Sequence, residues 1–273
     1  MKKSILAVTM AFLTALSPAS SAMPAILHEQ AEVNGIPDFE DSEDTSPGFW
    51  DALLDFLKNG IRWDKKPLVP VDPEPDPSET IVSGHYIYWI NKDNETVTIS
   101  DYTGDEEVVE IPSEIDGHPV SAIGHEAFSY KHMRVLSFPD CVSTIGNRAF
   151  EYTVIENELV LPENAVIKEG AFSYAKLPSA ITIPEGTAAE ESAFSYCKSL
   201  KQVFVGTDAA IQSQAFGYCD ELEQVTCAQG SRLESGAFEY CHALEKVTLC
   251  GEVNMAVDAF QYCENAMVTR TGE

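Results

Sequence analysis

Cysteines are the residues of this chain whose type and spacing most readily predict chemistry. Four of them form a series with an interval of 22 residues: Cys197, Cys219, Cys241 and Cys263. The other three are Cys141, Cys227 and Cys250. Cysteines stacked in successive repeats could approach disulfide geometry, but an odd total leaves at least one thiol unpaired. Lys131, Thr153 and Ala175 hold the same position in earlier repeats, so we expect free thiols that pack as small apolar side chains.

The remaining polar residues predict neither catalysis nor a bound cofactor. The sequence has no Cys-x-x-Cys pair and no paired histidine spacing for zinc. His125-Glu126 begins like a metalloprotease helix, but no second histidine follows at the required position. A G-x-S-x-G nucleophile elbow and a glycine-rich phosphate loop are also missing. The acidic run at residues 38–44 lacks the spacing and glycine of an EF-hand, so it predicts a solvated surface. We expect no enzymatic activity, no metal and no cofactor.

The cysteine interval belongs to a repeat that fills most of the chain. An Ala-Phe pair recurs every 22 residues, and each pair is followed two residues later by tyrosine. The phenylalanines are Phe128, Phe150, Phe172, Phe194, Phe216, Phe238 and Phe260, and the tyrosines are Tyr130, Tyr152, Tyr174, Tyr196, Tyr218, Tyr240 and Tyr262. A fixed period of this length is typical of a solenoid, in which each coil packs only on its neighbours. We therefore predict a repeat solenoid with a short parallel β-strand in each coil.

Short strand patterns lie between the Ala-Phe pairs. Alternating apolar residues occur at Leu159–Leu161, Ile181–Ile183, Val203–Val205, Val225–Cys227 and Val247–Leu249. The corresponding strand near Leu136 comes 23 residues before Leu159, and we expect the extra residue to lie in a loop because the Ala-Phe interval stays constant. Two strand patterns, at residues 85–90 and 96–100, flank a polar turn and predict a β-hairpin that caps the first coil.

Two surface columns are candidate binding sites. The first is the outward-facing sheet surface: Val160, Thr182, Phe204, Thr226 and Thr248, flanked by Gln202, Gln224 and Lys246. Solenoids commonly bind along such a face, and an exposed Phe204 among threonines would be its most distinctive member. The second is the tyrosine column, which forms either half-buried packing along one edge of the coils or an aromatic ladder for a glycan or peptide.

The N-terminal part of the chain has a different composition. Residues 1–22 combine two lysines, an apolar run of about twelve residues and a small-residue cleavage site after Ala22, the pattern of a secretory signal peptide. Residues 23–63 are acidic and contain apolar residues at helical spacing, namely Phe49, Trp50, Leu53, Leu54, Leu57 and Ile61. That helix would either pack back onto the solenoid or dock on a partner or membrane interface.

A linker separates this segment from the repeats. Residues 64–79 alternate prolines with acidic residues, which predicts an extended spacer. Residues 80–273 would then form the leucine-rich repeat domain, with the hairpin cap at 80–107 and the coils at 108–273. The chain has 17 basic and 44 acidic residues, a formal charge of −27, which disfavours nucleic acid and anionic membranes as partners.

The repeat resembles a known family. Ile123-Gly124 with Ala127-Phe128, and Ala193-Phe194 with Cys197, Leu200 and Val203, are similar to the leucine-rich repeats of BspA-like bacterial surface proteins. The resemblance extends from about residue 86 to residue 273. It implies a repeat solenoid of the leucine-rich repeat type, with a short parallel β-strand and a helical turn in each coil. It also implies a secreted or surface-exposed bacterial protein that adheres or binds protein and has no catalytic activity. The irregular positions Arg134, Glu156, Pro178 and Ala266 in the leucine column imply less regular outer coils.

We therefore expect a secreted, non-enzymatic protein that binds an extracellular protein ligand with a neutral or basic face, and no membrane insertion after the signal peptide is removed. One alternative is a glycan-binding protein or divergent hydrolase that uses the tyrosine edge or the loop around His118. Another is a structural protein that self-associates through the last coil near Tyr262.

Overall fold

The computed structural model describes residues 79–92 and 95–272. The predicted signal peptide, the amphipathic helix and all but the last residue of the linker lie outside the described residues. Within them, no helix is long and apolar enough to span a membrane.

Nineteen short strands form the described part of the chain. In chain order they are β1 (Ile81–Ser83), β2 (Tyr86–Ile90), β3 (Val97–Tyr102), β4 (Val108–Glu110), β5 (Glu114–Ile115), β6 (His118–Ile123), β7 (His132–Ser137), β8 (Thr144–Ile145), β9 (Val154–Val160), β10 (Val166–Ile167), β11 (Ala180–Ile183), β12 (Ala188–Ala189), β13 (Gln202–Val205), β14 (Ala210–Ile211), β15 (Gln224–Cys227), β16 (Arg232–Leu233), β17 (Lys246–Cys250), β18 (Asn254–Met255) and β19 (Met267–Thr271).

The strands confirm the predicted solenoid. One face is an 11-stranded sheet in the order β1-β2-β3-β6-β8-β10-β12-β14-β16-β18, with β5 paired to β6. The other face has a three-stranded sheet, β4-β7-β9, and a five-stranded sheet, β11-β13-β15-β17-β19. Pairing between coils is parallel and shifts by one repeat, so Ile181 lies beside Val203 and Val203 beside Val225. Each coil therefore has two strands, whereas the sequence predicted only the longer one.

The described residues contain no α-helix. The segment predicted as a helical turn in each coil consists of tight turns around the Ala-Phe pair. In one coil the Ala193 amide donates to the Glu190 carbonyl at 3.1 Å, and the Ser195 amide donates to the Ser192 carbonyl at 3.0 Å. The Phe194 amide instead donates to the next coil, to the Ala215 carbonyl at 2.7 Å. The turns therefore contribute to the coil-to-coil hydrogen bonding as the strands do.

The phenylalanine column forms the centre of the core. The rings stack face to face along the solenoid with centroid separations of 4.8–5.2 Å, beginning with Tyr102 on Phe128 and ending with Phe260. The rings from Phe128 to Phe238 are fully buried. Because one coil buries too few side chains to offset the entropy of ordering its backbone, this continuous column makes the stability of each coil depend on its neighbours.

The sheet on the second face is interrupted between β9 and β11. Met133 of β7 pairs with Ile155 of β9, but Val135 pairs with Glu158, so β9 contains one extra residue as a β-bulge. The prediction that this residue lies in a loop is wrong, because the bulge accommodates it within the strand. Beyond the bulge only an isolated bridge joins Val154 to Lys176, and Pro178, which lacks an amide hydrogen, precedes β11. These two irregularities separate the sheets.

The predicted hairpin cap is confirmed and has a third strand. β2 and β3 pair antiparallel, β1 adds outside β2, and β3 continues in parallel with β6 of the first coil. The loop between β5 and β6 is tied to the cap, because Asp116 accepts hydrogen bonds from the Tyr88 hydroxyl at 2.7 Å and the Ser83 hydroxyl at 3.1 Å. The cap covers the edge of β6, the first coil strand of the 11-stranded sheet, while β4 of the three-stranded sheet pairs, among the described strands, only with β7.

Candidate binding surfaces

The five-stranded sheet aligns seven of the eight predicted site residues on its outward face. In one row Thr182 lies beside Phe204, Phe204 beside Thr226 and Thr226 beside Thr248. In the neighbouring row Gln202 lies beside Gln224 and Gln224 beside Lys246. Residues between these rows point inward; Val203 and Val225 are each 1% exposed. The alternation expected of a strand with one buried face therefore holds.

Phe204 is the only large apolar side chain among these seven residues, and it is 44% exposed. Its register neighbours, Thr182 and Thr226, have short side chains. Gln202 and Gln224 supply amide donors and acceptors in the adjacent row. An exposed aromatic ring surrounded by short polar side chains has the composition of an interface anchor within a hydrogen-bonding rim.

The same face is almost free of charge. The outward residues of β11, β13, β15 and β17 include one charged side chain, Lys246, and no carboxylate. In a chain with a formal charge of −27, such a surface avoids the repulsion that two acidic proteins would otherwise experience.

Val160, the eighth predicted residue, lies elsewhere. It belongs to β9 of the three-stranded sheet, where it pairs with Ser137. It is 45% exposed, but the bulge in β9 leaves it unpaired with β11. The predicted row of five residues is therefore divided between two sheets.

The tyrosine column forms a ladder along a turn edge of the coils. All seven tyrosines have left-handed backbone conformations, with φ between 56° and 61°. Their rings stack with centroid separations of 4.4–5.1 Å and interplanar angles of 2–18°. Burial, the neighbouring Tyr196 and Glu151 raise the pKa of Tyr174 to about 12, and burial and the neighbouring Tyr218 and Asp220 raise that of Tyr196 to about 12.

Stacking limits what the ladder can bind. Sugars and planar ligands are recognised mainly through open aromatic faces, and the faces of the five inner rings are in contact with other tyrosines. Among the described residues, only the end rings, Tyr130 and Tyr262, are stacked on one side alone. They are 72% and 52% exposed. The ladder therefore presents ring edges and hydroxyls along its length.

The cysteine column has a structural role that the sequence did not reveal. Each thiol donates to the carbonyl of the phenylalanine 25 residues earlier, at sulfur–oxygen distances of 3.0–3.3 Å. The Thr153 hydroxyl makes the equivalent bond to the Phe128 carbonyl at 2.9 Å. Burial raises the pKa of Cys219 to about 12 and raises that of Cys197 strongly, so the thiols of Cys197 and Cys219 are poor nucleophiles. All seven cysteines are free thiols in the structure.

The histidines considered as catalytic groups are bound to backbone carbonyls. His118 donates from Nδ1 to the Glu95 carbonyl at 2.9 Å, and His125 donates from Nδ1 to the Asn147 carbonyl at 2.9 Å. Within residues 79–92 and 95–272, no three histidine, cysteine or acidic side chains converge as metal ligands.

Comparison with solved structures finds bacterial repeat proteins. A Treponema pallidum leucine-rich repeat protein is 23% identical, with 69% of this chain and 80% of that chain covered and a TM-score of 0.42. A leucine-rich cell surface protein of Faecalibacterium prausnitzii is 18% identical, with 71% and 88% covered and a TM-score of 0.32. The pneumococcal vaccine antigen PcpA is 18% identical, with 70% and 50% covered and a TM-score of 0.45. No curated protein matches the sequence.

The repeat matches the model of a known protein family. The model of the BspA type leucine rich repeat region matches six copies, over residues 121–227 and 157–267. These ranges together span more than half of the chain and contain the complete phenylalanine, tyrosine and cysteine series. The chain belongs to the BspA-type leucine-rich repeat family.

Proposed function

We propose that this protein is a secreted or cell-surface, non-enzymatic module that binds another protein through the outward face of the five-stranded sheet. The observation that carries the proposal is the exposed Phe204 ring, which lies between Thr182 and Thr226 on a surface without carboxylates. Aromatic side chains at the centre of a neutral patch account for much of the binding energy of many protein interfaces.

The charge of the molecule favours a partner whose binding surface is neutral or basic. The chain has a formal charge of −27, whereas Lys246 is the only charged outward residue of β11, β13, β15 and β17. A partner with a neutral, partly apolar patch and a basic rim would contact the face without burying unpaired carboxylates. The predicted signal peptide supports a location outside the cytoplasm.

The experiment is capture of a ligand by the immobilised protein from host extracellular matrix and mucus, followed by identification of the bound protein. The double substitution Phe204→Asp with Thr226→Asp should abolish capture, because it removes the anchor and adds two carboxylates to the neutral face. Val82→Asp is the control for a carboxylate placed at an exposed apolar position elsewhere, since Val82 is 68% exposed on the cap, and it is compared with Phe204→Asp alone. Capture by the control should be unchanged.

Folding of each variant is checked by circular dichroism and by its urea midpoint. Retained capture by a folded Phe204→Asp, Thr226→Asp protein would show that another surface binds the ligand. Glycan capture that is lost in Tyr130→Ala, with its open ring face, would favour the glycan-binding alternative.

A further inference from the structure

A cleft at the junction of the cap and the first coil has features that the repeat does not explain. Its volume is about 430 Å³. Its lining includes His85 and Tyr86 from the hairpin, Tyr102 at the end of β3, and Glu106, Val108 and Glu110 on or before β4. It lies at the opposite end of the chain from most of the proposed sheet-face site, so each proposal can fail without the other.

Two residues at the end of the cap, Tyr102 and Gly104, shape the cleft. Tyr102 occupies the first position of the phenylalanine stack, where it packs on Phe128 at 4.8 Å. A phenylalanine would provide the same stacking, but the tyrosine hydroxyl also donates a hydrogen bond to Glu106. Gly104 follows Tyr102 by two residues, and a β-carbon there would overlap both the Tyr102 hydroxyl and the Glu106 carboxylate. The glycine thus leaves room for this hydrogen bond.

Glu106 is held in a fixed orientation at the rim of the cleft. One carboxylate oxygen accepts from Tyr102, and the other accepts from Nε2 of His85 at 3.0 Å. The side chain remains 42% exposed, so the carboxylate is oriented and still accessible. The hydrogen bond from Tyr102 lowers the pKa of Glu106, which keeps the carboxylate charged.

The surroundings of the cleft are strongly acidic. Residues 93–117 contain nine acidic side chains and no lysine or arginine. Two cations approach from the next coil: Lys131, whose Nζ lies 5.9 Å from the Tyr102 ring centroid, and Arg134, which pairs with Glu107 at 3.3 Å. Glu110 is exposed and has no ion pair with a basic residue among the described residues. The local charge therefore favours a cationic ligand.

The cleft also adjoins a free strand edge. β4 pairs with β7 on one side, and no strand of the described residues pairs with its other side. Backbone groups of alternate residues point away from β7 in a parallel strand, so they can pair with an added strand. Val108 is 53% exposed at this edge and offers an apolar contact.

We propose that the cleft binds an extended, lysine- or arginine-bearing segment of another protein, which adds as a strand to the free edge of β4 and places a cationic side chain beside Glu106 and Glu110. The chain's own linker is a poor occupant, because Asp72, Glu74 and Asp76 would face these carboxylates and its prolines cannot donate to the strand. A second copy of this acidic chain is disfavoured for the same electrostatic reason.

The test uses the full chain and a fluorescent peptide of alternating lysine and valine, with binding followed by fluorescence anisotropy. We expect saturable binding that is lost when the peptide lysines are acetylated, and weakened at least about tenfold when alternate peptide amides are N-methylated. Glu110→Gln should weaken binding about five- to tenfold. Glu221→Gln, the same change at an exposed residue of a later coil, should leave the affinity within about twofold.

Three results would overturn the proposal. Equal losses in Glu110→Gln and Glu221→Gln would indicate non-specific attraction to an acidic protein. Unchanged affinity of the N-methylated peptide would exclude strand addition. Loss of peptide binding in Phe204→Asp would assign the peptide to the sheet face instead.

Discussion

At the residue scale, the tyrosine column combines an unfavourable backbone with a favourable side-chain arrangement. A left-handed conformation costs a residue other than glycine about 1–2 kcal/mol, and every tyrosine of the ladder adopts one. A stacked aromatic pair contributes about 0.5–1.5 kcal/mol beyond the burial of its area. The stacking therefore offsets much of the backbone cost, which explains why the position holds tyrosine even where the cysteine column changes.

The thiol–carbonyl hydrogen bond predicts a difference in stability between two variants at Cys219, whose new side chains, threonine and valine, have the same shape. Threonine retains a donor for the Phe194 carbonyl, as Thr153 does for the Phe128 carbonyl, whereas valine does not. We expect Cys219→Thr to have a free energy of unfolding higher than Cys219→Val by about 1 kcal/mol, measured by urea denaturation. Thr153→Val is the control and should lose a similar amount. Equal stability of the two Cys219 variants would show that the thiol contributes only its volume.

The raised tyrosine pKa values predict a dependence of stability on alkaline pH. Because the folded protein holds the phenol protons of Tyr174 and Tyr196 to about pH 12, it binds more protons than the unfolded chain above pH 10. The free energy of unfolding should be unaffected by these groups below about pH 10 and should fall as the pH rises to about 12.

Phenolate absorbance provides the measurement. The folded protein should contain a class of tyrosines that ionises well above the class seen in urea, and Tyr174→Phe with Tyr196→Phe should reduce that class. Tyr88, whose pKa is also raised to about 12 by burial and its bond to Asp116, should remain in it. Identical titration curves for the native and unfolded protein would contradict the assignment.

At the element scale, the invariant interval allowed the coils, their buried faces and the cap to be predicted from sequence. A 22-residue period determines which side chains stack, and strand alternation determines which of them point outward. The two-residue strands such as β12 and β14 could not be predicted, because two residues are too few to show alternation. The change from 22 to 23 residues near Leu159 revealed an insertion, but not that a bulge would accommodate it within β9.

The phenylalanine stack predicts a gradient of stability along the solenoid. Phe194 is fully buried between Phe172 and Phe216, so Phe194→Ala should lower the free energy of unfolding by about 3–5 kcal/mol. Phe260 is partly exposed and stacks only on Phe238 among the described residues, so Phe260→Ala should cost much less. Urea midpoints compare the two variants. Equal losses would indicate that the column does not act as a continuous core.

At the scale of the whole molecule, the charge distribution distinguishes the candidate sites. The sheet face is neutral, the cap cleft is acidic, and the tyrosine ladder presents edges and hydroxyls. The sequence predicted the residues of the sheet face because they follow the repeat. It did not predict the cleft, since His85, Tyr102 and Glu106 meet only through the packing of the cap on the first coil, and Tyr102 lies 26 residues before Phe128, outside the 22-residue period.

The affinity of the captured ligand for two single-residue variants distinguishes the five-stranded sheet from the tyrosine ladder as the binding face. Phe204→Ser removes the anchor of the sheet face, and Tyr174→Ser removes a 41% exposed ring from the tyrosine ladder. We expect Phe204→Ser to weaken the equilibrium affinity at least about tenfold and Tyr174→Ser to leave it within about twofold. Loss of affinity in Tyr174→Ser with no change in Phe204→Ser would contradict the assignment of the binding face to the five-stranded sheet.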